Sequence, residues 1–294
     1  MRGSCFAGLI ACLLIAFAAF VRDCEAGTGV ESLRVAVGDS YFHDMSTGLI
    51  KNVTEPFGDV MRETSGLKGD MVTGGDTFAV AAQLNDNKVQ LAVFHGLEYA
   101  WAKQKFADLR PLMIAIKELP IRAYVIARKD SNLGAFGDLN GKDIAIPKRT
   151  KEHCRYFLDQ EARKAGLKTP KAYFGRTVTG LTVEGAFDEL AAGKVHAVLT
   201  DENGLEFYKD LKPGVFARFK PVAKSDLFPP DVIAYRKGKL DAKTQTRIRD
   251  GLLSAEKTDS GKEMMKTWSI VSFQPVPKDF DQVMDESLKK FPPP

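Results

Sequence analysis

Val89-Gln90-Leu91-Ala92-Val93-Phe94-His95-Gly96-Leu97-Glu98-Tyr99-Ala100-Trp101 joins an apolar run to a segment with helical spacing across a single His-Gly break. Val89, Leu91, Val93 and Phe94 have the β-branched and aromatic bias of a buried strand, and Gly96 stands where a side chain would obstruct the chain. The spacing predicts a strand, a tight turn and a helix start. In an α/β sheet such a junction is the carboxyl end of a strand, where ligands sit. His95, ending the strand, and Tyr99, one turn into the helix, are therefore candidate ligand contacts.

On both sides the chain alternates short apolar runs with amphipathic ones, the pattern of an α/β fold with mostly parallel sheets. A first strand over 33–38 leads into a loop carrying Tyr41, Phe42 and His43, and Ser46 caps a helix whose inner face holds Leu49, Ile50, Val53, Phe57, Val60 and Met61. Pro56 is expected to kink or split that helix. Strands over 112–116 and 123–127 flank Pro120 with no long linker, so the chain passes directly from one lobe to another. A second set follows: a strand at 144–146, a helix over 151–165, a helix ended by Gly193, and a strand over 195–201 with Asp201 at its carboxyl end. His196 alternates with Val195 and Ala197 within that strand and reads as structural. Residues 222–225 form the return crossing, a strand covers 231–235, and helices fill the rest.

Residues 1–26 read as a secretory signal peptide. Arg2 gives the positive start, 6–21 is an uncharged apolar run, and Ala26 closes a cleavable end. The run is shorter than the ~20 residues of a spanning helix. Leu9-Ile10-Ala11-Cys12 resembles a lipoprotein cleavage box, which makes lipid anchoring at Cys12 the alternative to free release. Three of the four cysteines fall in this leader, so the mature chain of about 268 residues keeps only Cys154 and folds on hydrophobic burial without disulfides. Arg2 and Arg22 balance Asp23 and Glu25, which leaves the formal charge at +4. That charge is too mild and too evenly spread to argue for nucleic acid or a membrane surface as a partner, and no nucleic acid is expected.

His43, His95 and His153 are three of only four histidines, all at strand ends or helix starts facing one cleft with Asp201. That inventory keeps open a Zn or Fe receptor, although none of them shows the i, i+3 or i, i+4 pairing of a strong metal motif. An enzyme on the same fold is the other alternative. Gly-x-Ser-x-Gly, His-Glu-x-x-His and Gly-rich phosphate loops are all absent, and Cys154 falls on a helix's apolar face.

Taken together, 89–100, Asp138-Leu139-Asn140-Gly141-Lys142, the helix, turn and Asp-ended strand over 180–201, and Ser225 with Phe228-Pro229-Pro230 resemble the phosphate/phosphite/phosphonate-binding family of periplasmic ABC-transporter solute receptors. The resemblance implies a type II periplasmic-binding-protein-like fold. Its lobes are residues 32–127 plus 224–294, and residues 128–223, each a mostly parallel sheet flanked by helices, joined by two crossing strands that act as a hinge. It implies a monomer without cofactor or catalysis, secreted to the periplasm, which closes on a small phosphorus oxyanion (phosphonate, phosphite or phosphate) and presents it to a membrane permease. The family's Ser/Thr-rich oxyanion loop is replaced here by Pro147-Lys148-Arg149-Thr150-Lys151-Glu152-His153, where Thr150, Lys151 and His153 are the expected contacts. A second family feature, a His before the helix starting near Val183, is replaced by Thr179-Gly180-Leu181-Thr182.

Overall fold

The computed structural model describes residues 32–42, 45–166 and 170–293. The signal-peptide reading, Cys12 and His43 lie outside them. In chain order the strands are β1 (Ser32–Val37), β2 (Lys68–Thr73), β3 (Leu91–Phe94), β4 (Leu109–Lys117), β5 (Ala123–Arg128), β6 (Ile144–Ile146), β7 (Thr177–Thr179), β8 (Ala197–Asp201), β9 (Phe219–Lys224), β10 (Asp231–Arg236) and β11 (Ile270–Pro275). The helices that matter below are α1 (Thr47–Ser65), α2 (Thr77–Asn85), α3 (Gly96–Lys105) and α4 (Glu152–Lys164).

Two sheets result. The first has the order β11-β4-β10-β3-β1-β2, the second β7-β6-β8-β5-β9. β1 pairs in parallel with β2 and β3, and β6 with β7 and β8, as the alternating pattern predicts. β10 and β5 run antiparallel to their neighbours because each starts a lobe after a crossing. The crossings occupy 118–122 and 225–230. β5, which the sequence reading leaves in the first lobe, hydrogen-bonds wholly within the second sheet, as does the end of β9. The crossings also hold each other: Ser225 N–H donates to Ala123 O at 3.0 Å and Phe228 N–H to Ile121 O at 2.9 Å.

Two local expectations are corrected. α1 runs unbroken through Pro56, since one lost ladder bond is outweighed by burial of Phe57, Val60 and Met61 against the first sheet. β11 escapes sequence reading because it is an edge strand whose Val271 is exposed, so no alternating pattern marks it.

Gly96 has a different physical reason from the turn expected of it. A Cβ there would stand 2.4 Å from Pro230 O and 2.6 Å from Pro229 O, so the glycine admits the backbone of the return crossing against the start of α3. Backbone cannot yield as a flexible side chain would. Gly96→Ala is expected to lower stability by about 1–3 kcal/mol, the usual cost of overpacking a core, read as a depressed melting temperature; an unchanged melt would show that the crossing is not held by this contact.

Candidate functional site

The lobes enclose a cavity of about 120 Å³. The first lobe supplies Ser40, Tyr41 and Phe42 from the turn after β1, His95 between β3 and α3, Lys117 ending β4, Asp231 starting β10, and Trp268. The second supplies Lys151 just before α4, and Asp201, Glu202 and Asn203 where β8 runs into the helix Glu202–Leu211. Leu119, Pro120 and Ile121 of the outgoing crossing complete the wall.

Each lobe brings a buried carboxylate with its basic partners. Asp231, 1% exposed, lies 3.0 Å through Oδ1 from His95 Nδ1 and 3.4 Å through Oδ2 from Lys117 Nζ. Burial opposes its ionisation, but Lys117, His95 and Lys151 outweigh it and hold the carboxyl well below the usual range. Across the cavity Lys151 Nζ lies 2.6 Å from Asp201 Oδ2, while Asp201 Oδ1 caps the following helix by accepting from Gly204 N–H at 2.8 Å. Burial works against the Lys151 ammonium, and Asp201 overcomes it, leaving its pKa raised. Lys117 is lowered instead, because burial exceeds what Asp231 returns and Lys151 adds repulsion. The His95 ring stacks on Tyr41 with centroids 4.0 Å apart, and its Nε2 faces Ser40 Oγ at 3.3 Å. Burial and the nearby carboxylates of Asp231 and Glu98 push the Tyr41 phenol up, so it stays a neutral donor. Two ammonium groups and an imidazole lining one cavity between the lobes are chemistry suited to an oxyanion.

Behind this wall the starts of α2, α3 and α4 converge. Glu98, in the first turn of α3, accepts from the Thr77 hydroxyl, from His153 Nδ1 at 2.9 Å and from His153 N–H at 3.4 Å. Burial disfavours its charge, yet His95, His153 and Thr77 together keep its pKa below the ordinary value. Glu152 of α4 accepts from Thr77 N–H at 3.1 Å. Burial and then repulsion from Glu98 push Glu152 up to about 7. Arg149 also reaches across, donating to Phe42 O and, at 2.9 Å, to Met45 O. These are contacts between lobes.

The expected contacts divide. Tyr41, Phe42, His95, Lys151 and Asp201 line the cavity. Tyr99, Thr150 and His153 stand outside its described lining. Tyr99 is fully buried between Phe94 and Phe280, facing the first lobe's core. Thr150 turns its hydroxyl back to Pro147 O at 2.7 Å. His153 is buried beneath His95 and held by Glu98, with Nε2 lacking a hydrogen-bond partner; burial lowers its pKa. His196 is exposed and accepts at Nδ1 from Asp143 N–H. Among the described residues no group of three or more His, Cys, Asp or Glu side chains is placed to hold a metal ion.

Sequence reading passed over Lys117, Asp231 and Trp268. The signal was there for the first two: a single charge closing the apolar run 112–116, and another opening 232–234, directly beside the crossings. Trp268 offers no such mark, since its place in the cavity depends on packing against Phe42.

Two α/β lobes, joined by paired crossings and sharing a polar cavity, define the class: the fold of type II periplasmic binding proteins, on which solute receptors are built. Residues 40–280 match the family of periplasmic substrate-binding proteins of phosphonate ABC transporters, and the chain belongs to that family. Similar solved structures include a binding-protein component of an ABC phosphonate transporter from Pseudomonas aeruginosa (TM-score 0.68, 16% identity, 88% of this chain and 87% of that one). PhnD1 of Prochlorococcus marinus in complex with methylphosphonate gives a TM-score of 0.66 at 12% identity, covering 89% of this chain and 98% of that one. The periplasmic aliphatic sulphonate binding protein SsuA of Escherichia coli gives 0.55 at 16%, covering 89% and 86%. No curated protein sequence matches the chain significantly. Among the described residues no helix is long and apolar enough to cross a membrane.

The raised Glu152 pKa gives a testable sign. A group whose folded pKa is raised contributes stability that is complete below its ordinary value of 4.5 and is lost as pH climbs through about 7. His153, kept neutral by burial, acts in the opposite direction, so a comparison with a variant is needed to isolate Glu152. Glu152→Gln keeps an oxygen for Thr77 N–H and cannot ionise. Its melting temperature relative to wild type is expected to rise steadily from pH ~5 to ~8; a constant offset across that interval would remove Glu152 as a titrating group.

Proposed function

We propose that the chain is the substrate-binding component of an ABC importer, exported by its leader, binding a small phosphorus oxyanion in the interlobe cavity and presenting it to the membrane permease as a monomer. The observation that carries this is the convergence of Lys117, Lys151 and His95 on one cavity between the lobes of a phosphonate-receptor family member. At the ~10–15 Å³ that each ordered water requires, the cavity exceeds the size of phosphite or methylphosphonate, so either fits with room beyond it. PhnD1, a structural neighbour, holds methylphosphonate, which supports the same class of solute here. The crossings at 118–122 and 225–230 serve as the hinge, and closure removes water from around the lysines, strengthening each charge-assisted contact.

Calorimetric titration with phosphite, phosphate and methylphosphonate tests this. At least one is expected to bind. Lys117→Met, which leaves Asp231 its His95 partner, is expected to weaken that binding by about one to two decades, the worth of one charge-assisted hydrogen bond. Failure of all three anions to bind, or an unaltered dissociation constant in the variant, would contradict the assignment.

A further inference from the structure

A second cavity, of about 50 Å³, lies within the first lobe directly behind the first. Its walls are apolar: Val93, Ala115 and Ile233 from β3, β4 and β10, with Met71, Met264 and Phe273 around them. The two cavities share Tyr41, Lys117, Asp231 and Trp268, so they adjoin along these four side chains. At that divide Tyr41 Oη is buried without a hydrogen bond, and Lys117 Nζ lies 5.6 Å from the Tyr41 ring centroid. Well-packed interiors hold few voids above the size of one water, and apolar ones stay dry and accept apolar guests.

We propose that this second cavity is a substituent subsite, making the solute an alkylphosphonate with a short apolar chain rather than an inorganic anion. The inference rests on the oxyanion reading of the first cavity. With the phosphonate head beside Lys117 and His95, the carbon substituent passes Tyr41 and Trp268 and enters the lobe. The volume, at ~10–15 Å³ per water-sized group, admits about three to five carbons. The opposite end of the first cavity, where Glu202 and Asn203 stand, would instead suit an amine-bearing chain.

The experiment is a calorimetric series on the full mature chain: phosphite, then methyl-, ethyl-, propyl- and hexylphosphonate, with 2-aminoethylphosphonate as the polar counterpart of propyl. Each added carbon is expected to tighten binding by about fourfold as far as propyl, the ratio that corresponds to one buried methylene, with hexyl falling back. Ala115→Leu, which fills the second cavity, is expected to abolish that gain, so that propyl binds no more tightly than methyl; its folding is checked by its melting curve, and the wild-type series stands without it. If phosphite or methylphosphonate binds but affinity is flat or falls toward propyl, or if 2-aminoethylphosphonate outbinds propylphosphonate, the subsite is overturned and the oxyanion reading survives. If no member binds, the oxyanion reading fails and the subsite with it.

Discussion

Asp231 is a charge placed where water cannot reach it, and the arrangement of the cleft follows from satisfying it. An unpaired buried carboxylate costs several kcal/mol, so the first residue of β10 must find polar partners on the strands beside it. It finds His95 at the end of β3 and Lys117 at the end of β4, both neighbours of β10 in the sheet. The second lobe repeats the solution with Asp201 and Lys151. Each lobe thus arrives at the cleft with its own charge largely balanced, so the proposed anion would meet groups that are already oriented rather than having to order loose ones.

The helix starts behind the cavity have a different use from the one the family resemblance implies. Oxyanion loops of that kind offer hydroxyls and backbone N–H groups at a helix N-terminus. Here the start of α4 already receives the Glu98 carboxylate, while α2 receives the Glu152 carboxyl, so the protein fills its own helix N-termini. Those groups come from the opposite lobe in both cases, which turns helix capping into contact between lobes. The consequence is that side-chain ammonium and imidazole groups, not a hydroxyl-rich loop, face the cavity. This also accounts for Lys151 standing where a Ser or Thr was expected: its stem is buried and its ammonium reaches Asp201 across the mouth of β8.

What could be read from the sequence was what depends on local pattern. The strand, break and helix over 89–101 are visible because apolar spacing and Gly96 are both local signals, and the structure realises them as β3 and α3. Asp201 was legible for the same reason, as a carboxylate ending a buried strand. Lys117 and Asp231 were visible as charges at strand edges, but their pairing is 114 residues apart in sequence and emerges only when β10 inserts between β3 and β4. Thr150 was expected on resemblance and Tyr99 from its place one turn into the helix, and neither lines the cavity: one hydroxyl is consumed by its own loop and one ring by the core. The second, apolar cavity left no trace in the sequence at all, because a void is a property of how side chains fail to meet.

The central claim is that an oxyanion centre sits between Lys117, His95 and Lys151, and its position can be measured directly. A crystal grown with methylarsonate, an alkylphosphonate analogue whose arsenic scatters anomalously, would locate that centre without reference to any fitted ligand. The account predicts one strong anomalous peak within hydrogen-bonding reach of those three residues, between the lobes. A peak elsewhere on the molecule, or a cavity empty at saturating concentration, would contradict it.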